Sequence, residues 1–274
     1  MELTFLGTGT SVGVPMIGCH CRVCTSKDPR NRRRRTSLHV KTDQTTFVID
    51  TPPDFRQQVL DFEIERVDAV VFTHAHADHI FGFDDIRRFN TIQQSVIPAY
   101  AERETLIDIQ RVFSYIGTQP SPLGLYRPLI EFREVTGLFE IGDVTLTPLH
   151  VVHGNKMTGY LLEHEGMRIG YVPDCLTMPA ETIKALQKVD VMILDALRYR
   201  PHPTHLCVRE SLTLLEQIGA KQAYLIHLCH DIDHAELEAN LPEGVAVSYD
   251  GMRVRVGAGV VNLKADYLKM GKVI

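Results

Sequence analysis

The segment Thr73-His74-Ala75-His76-Ala77-Asp78-His79 sets three histidines and one aspartate within six residues, directly behind the run Asp68-Ala69-Val70-Val71-Phe72. Imidazoles and carboxylates are ligands for divalent cations. Extended backbone sends residues i and i+2 to one side, so His74 and His76, leaving a strand, meet one ion. If the chain then turns into a helix, Asp78 and His79 face a neighbouring point, and the arrangement serves two metals. Packing has no use for so much polarity in so short a stretch, because unpaired polar groups are costly to bury.

A second cluster, Gly18-Cys19-His20-Cys21-Arg22-Val23-Cys24, holds three cysteines. An odd cluster cannot pair within itself, and Cys19 and Cys21 are too close in sequence for an unstrained bridge. The other cysteines, Cys175, Cys207 and Cys229, are scattered rather than arranged as a secreted framework. The opening MELTFLGTGTSVGVP has neither a basic leader region nor a long apolar run. A reduced, cytoplasmic setting is therefore expected, and there clustered thiolates mean metal. CxCxxC supplies three of the four ligands of a closed tetrahedral zinc site; the fourth must come from elsewhere.

Groups so placed need a scaffold, and 274 residues of 44% apolar composition suffice for a substantial core. No run approaches the roughly 20 apolar residues of a membrane span. The net charge of -5 argues against a sheath of nonspecific nucleic-acid contacts. Arg30, Arg32, Arg33, Arg34 and Arg35 nevertheless form a basic block, which reads as a solvated run, a nucleic-acid patch or a site for a small anionic substrate.

Apolar segments of strand length recur at Leu3–Leu6, Ser37–Val40, Thr46–Ile49, Ala69–Thr73, Val144–Pro148, Thr158–Leu162, Arg168–Val172, Val191–Leu194, Ala223–Ile226 and Arg253–Val256. Helical patterns lie at Asp54–Asp61, Glu102–Phe113, Pro179–Gln187, Cys207–Ile218 and His234–Leu241. Thr158–Leu162 and Arg168–Val172 read as a hairpin, which disfavours a pure doubly wound parallel sheet. Two mixed sheets packed together with helices outside, an α/β fold, fit better. Gly117–Leu129, rich in proline and glycine, reads as a loop, either a lid or substrate contact or a connector. No linker or repeat divides the chain, so one domain over residues 1–274 is expected.

HxHxDH is the signature of the metallo-β-lactamase fold superfamily, which this sequence resembles from end to end. The opening FLGTGTSVGVP is similar to the first strand and glycine-rich turn of the branch containing the tRNA 3′-processing endonucleases and related phosphodiesterases. GCHCRVC, PTHLC and IHLCHDIDH together resemble the cyclic-phosphate phosphodiesterases of the carbon-phosphorus lyase pathway. The resemblance implies an αββα sandwich of two mixed sheets with outer helices. It also implies that His74, His76 and His153 hold a first metal, that Asp78, His79 and His227 hold a second, and that Asp174 in YVPDC bridges both. His153 is preferred to His150 because it stands six residues before Gly159-Tyr160, as in those phosphodiesterases; His150 is then a neighbour or a core residue.

By the same resemblance Cys19, Cys21, Cys24 and His230 form a structural zinc site. It would tie the N-terminal loop to the loop that delivers His227. His20 is a poor fourth ligand, because its flanking cysteines already constrain the turn. His205 matches an active-site histidine and becomes the proton donor to a leaving alkoxide, with Asp78 counted among both ligands and catalytic groups. Asp195 would orient a ligand histidine or act as a plain cap, and Asp50 stands near the metals without ligating. His39, His164, His202 and His234 read as surface or structural, Cys175 and Cys229 as small buried thiols.

Histidine and carboxylate donors suit zinc or manganese for the two catalytic ions, with iron also compatible. A redox role is disfavoured, because diiron flavoproteins of the superfamily carry a glutamate where His76 stands. The expected activity is hydrolysis of a small or cyclic phosphodiester by a hydroxide shared between two metals. The rivals are a tRNA 3′-processing-type endonuclease, a β-lactamase or thioester hydrolase, and a noncatalytic metal-binding protein on the same fold. No membrane partner is expected; a homodimer is implied by resemblance alone.

Overall fold

The computed structural model describes residues 1–119, 126–257 and 260–263. The chain begins with β1 (Glu2–Gly7), β2 (Ser37–Lys41), β3 (Thr46–Ile49), α1 (Phe55–Asp61), β4 (Ala69–Val71), α2 (Ala77–Ile80), α3 (Ile86–Gln93), β5 (Ile97–Ala101), α4 (Arg103–Val112) and β6 (Ile130–Glu134). It continues with β7 (Phe139–Ile141), β8 (Val144–His153), β9 (Asn155–His164), β10 (Met167–Val172), α5 (Ala180–Leu186), β11 (Val191–Asp195), α6 (Val208–Ile218) and β12 (Gln222–Ile226). Last come α7 (His234–Glu238), β13 (Val245–Val247), β14 (Arg253–Val256) and β15 (Val260–Leu263).

The strands form two mixed sheets, one of eight in the order β15-β14-β1-β2-β3-β4-β5-β6, the other of seven in the order β13-β12-β11-β10-β9-β8-β7. Strand alternation decides the layering. Leu3 and Phe5, Leu38 and Val40, and Phe47 and Ile49 point to the inter-sheet core, where they meet Leu146, Tyr160, Leu162, Ile193 and Tyr224 of the second sheet. The opposite faces meet helices: Leu6, Val48 and Val70 pack with Phe55, Ile80, Phe89 and Leu106, while Met192, Leu194 and Leu225 pack with Leu186, Leu214 and Leu237. Three apolar interfaces separate four layers, helix, sheet, sheet and helix.

Local chemistry sets the element ends. In α6 Val208, Ser211, Leu214, Leu215 and Ile218 form a buried stripe at helical spacing. Its start is capped by the Cys207 N–H donating to Glu210 Oε2 at 2.8 Å, and it stops at Gly219, φ 66°. The β9–β10 hairpin turns through Glu165 and Gly166, both at positive φ, as a tight primed turn requires.

The expected strands and the first four expected helices appear, with one underestimate: Val144–Pro148 and Thr158–Leu162 are parts of a ten-residue pair, β8 and β9, turning at Gly154. The helix expected over His234–Leu241 is the shorter α7. Sequence patterning does not reveal β5, β6, β7, β13, β15 or α3. β5 carries Pro98 inside a parallel run, and most of the others are three to five residues long, too short for periodicity to register. Of the expected loop Gly117–Leu129, residues 120–125 lie outside the described residues; its ends are pinned by the Ile130 N–H on Gly117 O and by the Arg127 guanidinium on Tyr115 O and Gln119 O. No helix among the described residues is long and apolar enough to cross a membrane.

Candidate metal centre

Five strands deliver the polar groups at their carboxyl ends: β3 to Asp50, β4 to His74 and His76, β10 to Asp174, β11 to Asp195 and β12 to His227. Because β3 and β4 are parallel, as are β10, β11 and β12, these ends converge on one edge of the sandwich. The β8 end adds His153. After β4 the chain stays extended through His76, whose ψ is 149°, and then makes the single turn α2, which carries Asp78 and His79.

Asp174 sits at the centre. Its Oδ2 lies 3.8 Å from His74 Nε2, 3.4 Å from His79 Nε2 and 3.5 Å from His153 Nε2, and its Oδ1 lies 3.2 Å from His227 Nδ1. His74 Nε2 and His76 Nδ1 are 2.8 Å apart, and the ligand atoms of His74, His76 and His153 lie within 4.8 Å of one another, as do those of His74, His79 and Asp174. Asp78 Oδ2 is 3.3 Å from His79 Nε2. Apart from His76, which is exposed, and the half-buried Asp78, these groups are buried.

Each buried imidazole is aimed by a partner on a ring nitrogen. Asp50 Oδ2 lies 2.8 Å from His79 Nδ1, and the Asp50 carboxylate also accepts the Thr73 N–H and hydroxyl. With its hydroxyl given to Asp50, Thr73 accepts from His74 Nδ1 at 3.0 Å. His153 Nδ1 donates to Thr204 O at 2.8 Å, and His227 Nδ1 meets Thr36 Oγ1 at 3.0 Å. Such partners fix the tautomer and leave the other nitrogen free for a cation.

The donors fit divalent ions. His79 Nε2 and Asp174 Oδ1 are buried without a hydrogen-bond partner among the described residues, a costly condition that a metal removes. Burial lowers His74 well below its usual range, which favours the neutral ring that can ligate a cation. Around His79 burial opposes charge, yet the Asp174, Asp50 and Asp78 carboxylates outweigh it and hold the imidazole well above its usual range. That surplus of negative charge asks for a cation.

His205 lies beside this cluster. Its ring stacks on His227 at 4.9 Å and meets His153 edge-on at 4.4 Å. Its Nδ1 is 2.8 Å from Asp195 Oδ2, which also accepts the Cys175 N–H. Asp195 is fully buried, and burial pushes its carboxyl up to about 7. Burial works against a charged His205, but the Asp195 bond and charge prevail and raise the imidazole. Asp195 therefore orients a histidine, as one of its two expected readings had it, and that histidine is His205, whose ring nitrogen lies within 4.8 Å of the His153 and Asp174 ligand atoms.

The cysteine cluster closes with a residue from far away in sequence. His230 Nδ1 is 3.3 Å from Cys19 Sγ and 3.5 Å from Cys21 Sγ, and all four ligand atoms, Cys24 included, lie within 4.8 Å of one another. Tetrahedral zinc with ordinary Zn–S and Zn–N bonds would space sulfur and nitrogen by about 3.6 Å, so the set fits that ion. The Cys24 N–H at Cys21 Sγ, helped against burial by His230, lowers the Cys21 thiol to about 6, while burial pushes Cys24 up to about 11. His20 points to solvent.

Some sequence expectations need correction. His150 is not a core residue: it is exposed and faces Glu102. His202 is half-buried, in keeping with the surface or structural place expected of it, with its ring 5.2 Å from His205 and the Thr204 N–H on its Nδ1. The arginine block is not a basic patch. Arg30, Arg34 and Arg35 are paired with Asp28, Asp61 and Asp54, Arg33 is buried, and only Arg32 is exposed. Thr36, Thr73 and Thr204 are functional residues without a sequence motif of their own; only Thr73, next to the histidine motif, carries any signal.

Residues 45–228 match the family model for the beta-lactamase superfamily domain. The chain is 35% identical over 270 residues to a protein of Porphyromonas gingivalis named octanoyltransferase, covering 96% of this chain and 53% of that protein. The chain thus spans about half the length of that relative. The crystal structure of a new diphosphatase from the PhnP family superposes with a TM-score of 0.85 at 37% identity, covering 93% of this chain and 98% of that one. Zinc-bound PqqB from Methylobacterium extorquens shares the fold with a TM-score of 0.77 at 18% identity, covering 93% of this chain and all of that one. With this match, the chain belongs to the beta-lactamase superfamily, with the metallo-β-lactamase fold and a cluster of metal-ligand side chains, and is similar in structure to a diphosphatase of the PhnP family.

Proposed function

We propose that the protein is a dinuclear phosphodiesterase acting on a small or cyclic phosphodiester. The observation that carries the reading is the buried Asp174 carboxylate at the centre of four histidines, its Oδ2 facing His74, His79 and His153 and its Oδ1 facing His227. His74, His76 and His153 would hold one divalent cation, Asp78, His79 and His227 the other, with Asp174 between them; zinc, manganese and iron all suit such donors. When bound, paired cations lower the pKa of a shared water and offset charge growing on the attacked phosphorus.

The protein's own groups supply the rest. His205, its pKa raised by the Asp195 bond and charge, has a ring nitrogen within 4.8 Å of the ligand atoms of His153 and Asp174 and gives its proton to the leaving oxygen. Asp50, Thr73, Thr204 and Thr36 hold the ligand rings so that no reorganisation is needed during reaction. Cys19, Cys21, Cys24 and His230 would hold a structural zinc that ties the N-terminal loop to the His227 loop.

The relative named octanoyltransferase does not redirect this reading. The thiol beside the site, Cys175, is fully buried, and burial raises its pKa far above the thiolate range, so it is a poor acyl acceptor. The paired arginines of residues 30–35 likewise offer RNA little beyond Arg32.

The leaving group gives the test. An alkoxide needs a proton to depart, whereas an aryloxide or a phosphate leaves without one. His205→Ala should cut kcat roughly 10²- to 10⁴-fold on an alkyl or cyclic diester. The loss should be far smaller on an aryl diester or a diphosphate, at equal metal content. Equal losses on all substrates would remove His205 from the proton step. No turnover of any phosphate ester or anhydride by the fully metallated protein would sink the reading itself.

A further inference from the structure

Arg33 is the largest fully buried side chain among the described residues, 1% exposed, yet no carboxylate of those residues pairs with it. A buried guanidinium without a counter-charge is costly, since two charges must normally be desolvated together to offset one another. Burial pulls its pKa down to about 10 against the fields of Asp250, Cys229, Asp233 and Asp28. Its Nε has no hydrogen-bond partner among the described residues. A methionine or leucine would fill the space without that cost.

What the guanidinium does touch is one loop. Nη1 donates to Cys229 O at 3.0 Å and to Ile232 O at 2.9 Å, and Nη2 donates to Asn31 Oδ1 at 3.2 Å. The two carbonyls bracket His230. Asn31 extends the grip, since its Oδ1 takes the His234 N–H and its Nδ2 reaches Asp233 Oδ2. The backbone of Arg33 faces the other way, exchanging both hydrogen bonds with Val14, just upstream of the cysteine loop. Gly9 lies so close that a Cβ there would come within 2.8 Å of Arg33 Cβ. Arg33 thus stands between the segment that carries Cys19, Cys21 and Cys24 and the segment that carries His227 and His230.

That second segment needs holding. His227 has φ 60°, a left-handed conformation that is strained for a non-glycine residue and persists only where its surroundings impose it. Leu228 is fixed by its N–H on Thr8 O and its carbonyl under the Thr10 N–H. From Cys229 to Ile232 the Cys229 N–H is held by Leu197 O and the Asp231 carboxylate by Arg200, while the Cys229 and Ile232 carbonyls are held together by the one guanidinium of Arg33. Three thiolates and one histidine around a divalent ion also carry a net negative charge, which a cation beside the His230 loop offsets.

We propose that Arg33 is a positioning residue for both metal sites: its guanidinium sets the 229–232 carbonyls so that His230 closes the cysteine clamp and His227 holds its strained conformation at the catalytic pair. The proposal rests on reading Cys19, Cys21, Cys24 and His230 as a metal clamp.

The test compares wild type, Arg33→Lys, Arg33→Met and Cys21→Ser. It uses metal competition against a chelator, the thiolate-to-cobalt absorption of cobalt-loaded protein, and amide hydrogen exchange along residues 222–234. Second-sphere partners typically contribute 10- to 100-fold to metal affinity. Arg33→Met should therefore lose about that much affinity at the clamp and lower kcat with little change in KM, while exchange quickens at residues 228–232 and not in β12. Arg33→Lys, with its charge kept and fewer donors, should fall between and keeps the test alive if the methionine variant does not fold. Wild-type metal affinity and exchange in both variants would overturn the proposal, as would exchange quickened evenly through the whole chain. If Cys21→Ser leaves the metal count unchanged, the clamp reading fails; the exchange pattern in Arg33→Lys still decides whether Arg33 holds the loop.

Discussion

The two clusters of ligands are built on opposite plans. In the catalytic cluster every buried imidazole has a side chain or carbonyl on a ring nitrogen: Asp50 behind His79, Thr73 behind His74, Thr204 behind His153, Thr36 behind His227. In the cysteine clamp the ligands are half-exposed and held by backbone, with the Met16 N–H on Cys24 Sγ and the Cys24 N–H on Cys21 Sγ. The first is shaped by the rigid ends of two sheets and should keep its form without metal. The second lies in loops, where the ion itself supplies much of the order. A catalytic centre must not reorganise during reaction, whereas a clamp need only close once.

Asp174→Asn should have the largest effect. Removing the carboxylate shared by four histidines should empty the catalytic cluster and abolish turnover while the clamp keeps its ion. Metal analysis combined with the thiolate-to-cobalt band separates the two, and loss of both ions together would erase the contrast. Cys21→Ser should do the reverse at smaller scale. It should remove the clamp metal, lower the melting temperature and reduce activity through the His227 loop; full activity with an unchanged metal count would refute the clamp.

Asp50→Asn tests the claim of preorganisation directly. It should weaken catalytic metal binding by roughly 10- to 100-fold without touching the clamp, and wild-type affinity would show that the ring of His79 needs no orienting partner. The smallest effect is chemical. In metal-stripped protein at pH 7, Cys21, lowered to about 6, is mostly thiolate, while Cys24, raised to about 11, stays protonated. Alkylation should therefore strike Cys21 well before Cys24, with zinc protecting both. Equal rates would mean that the backbone donors do not shape the metal-free clamp.

Part of each cluster is legible in the amino-acid order, and for the same reason. Spacing alone places His74 with His76, and Cys19 with Cys21 and Cys24, because neighbours within six residues have few conformations in which to part. The strands that carry them announce themselves by alternation, as Leu3 and Phe5 or Leu38 and Val40 do. Short parallel strands such as β4, buried on both faces, show as an apolar run. β5 and β13 lack a pattern strong enough to rise above their neighbours.

What the sequence determined by itself, then, is the donor set and its chemistry: histidine and carboxylate in one place, thiolate in another, on an αββα frame. Family resemblance paired His153, His227 and His230 with them. Only the tertiary structure decided that His150 turns to solvent, that Asp195 serves His205, that Thr36 and Thr204 aim two of the ligands, and that Arg33 is buried rather than part of a basic patch. The physical reason is separation along the chain. Contacts such as Thr36 to His227 or Arg33 to Ile232 join residues nearly 200 positions apart. No local spacing encodes them, and they exist only because two sheets bring their carboxyl ends to the same edge.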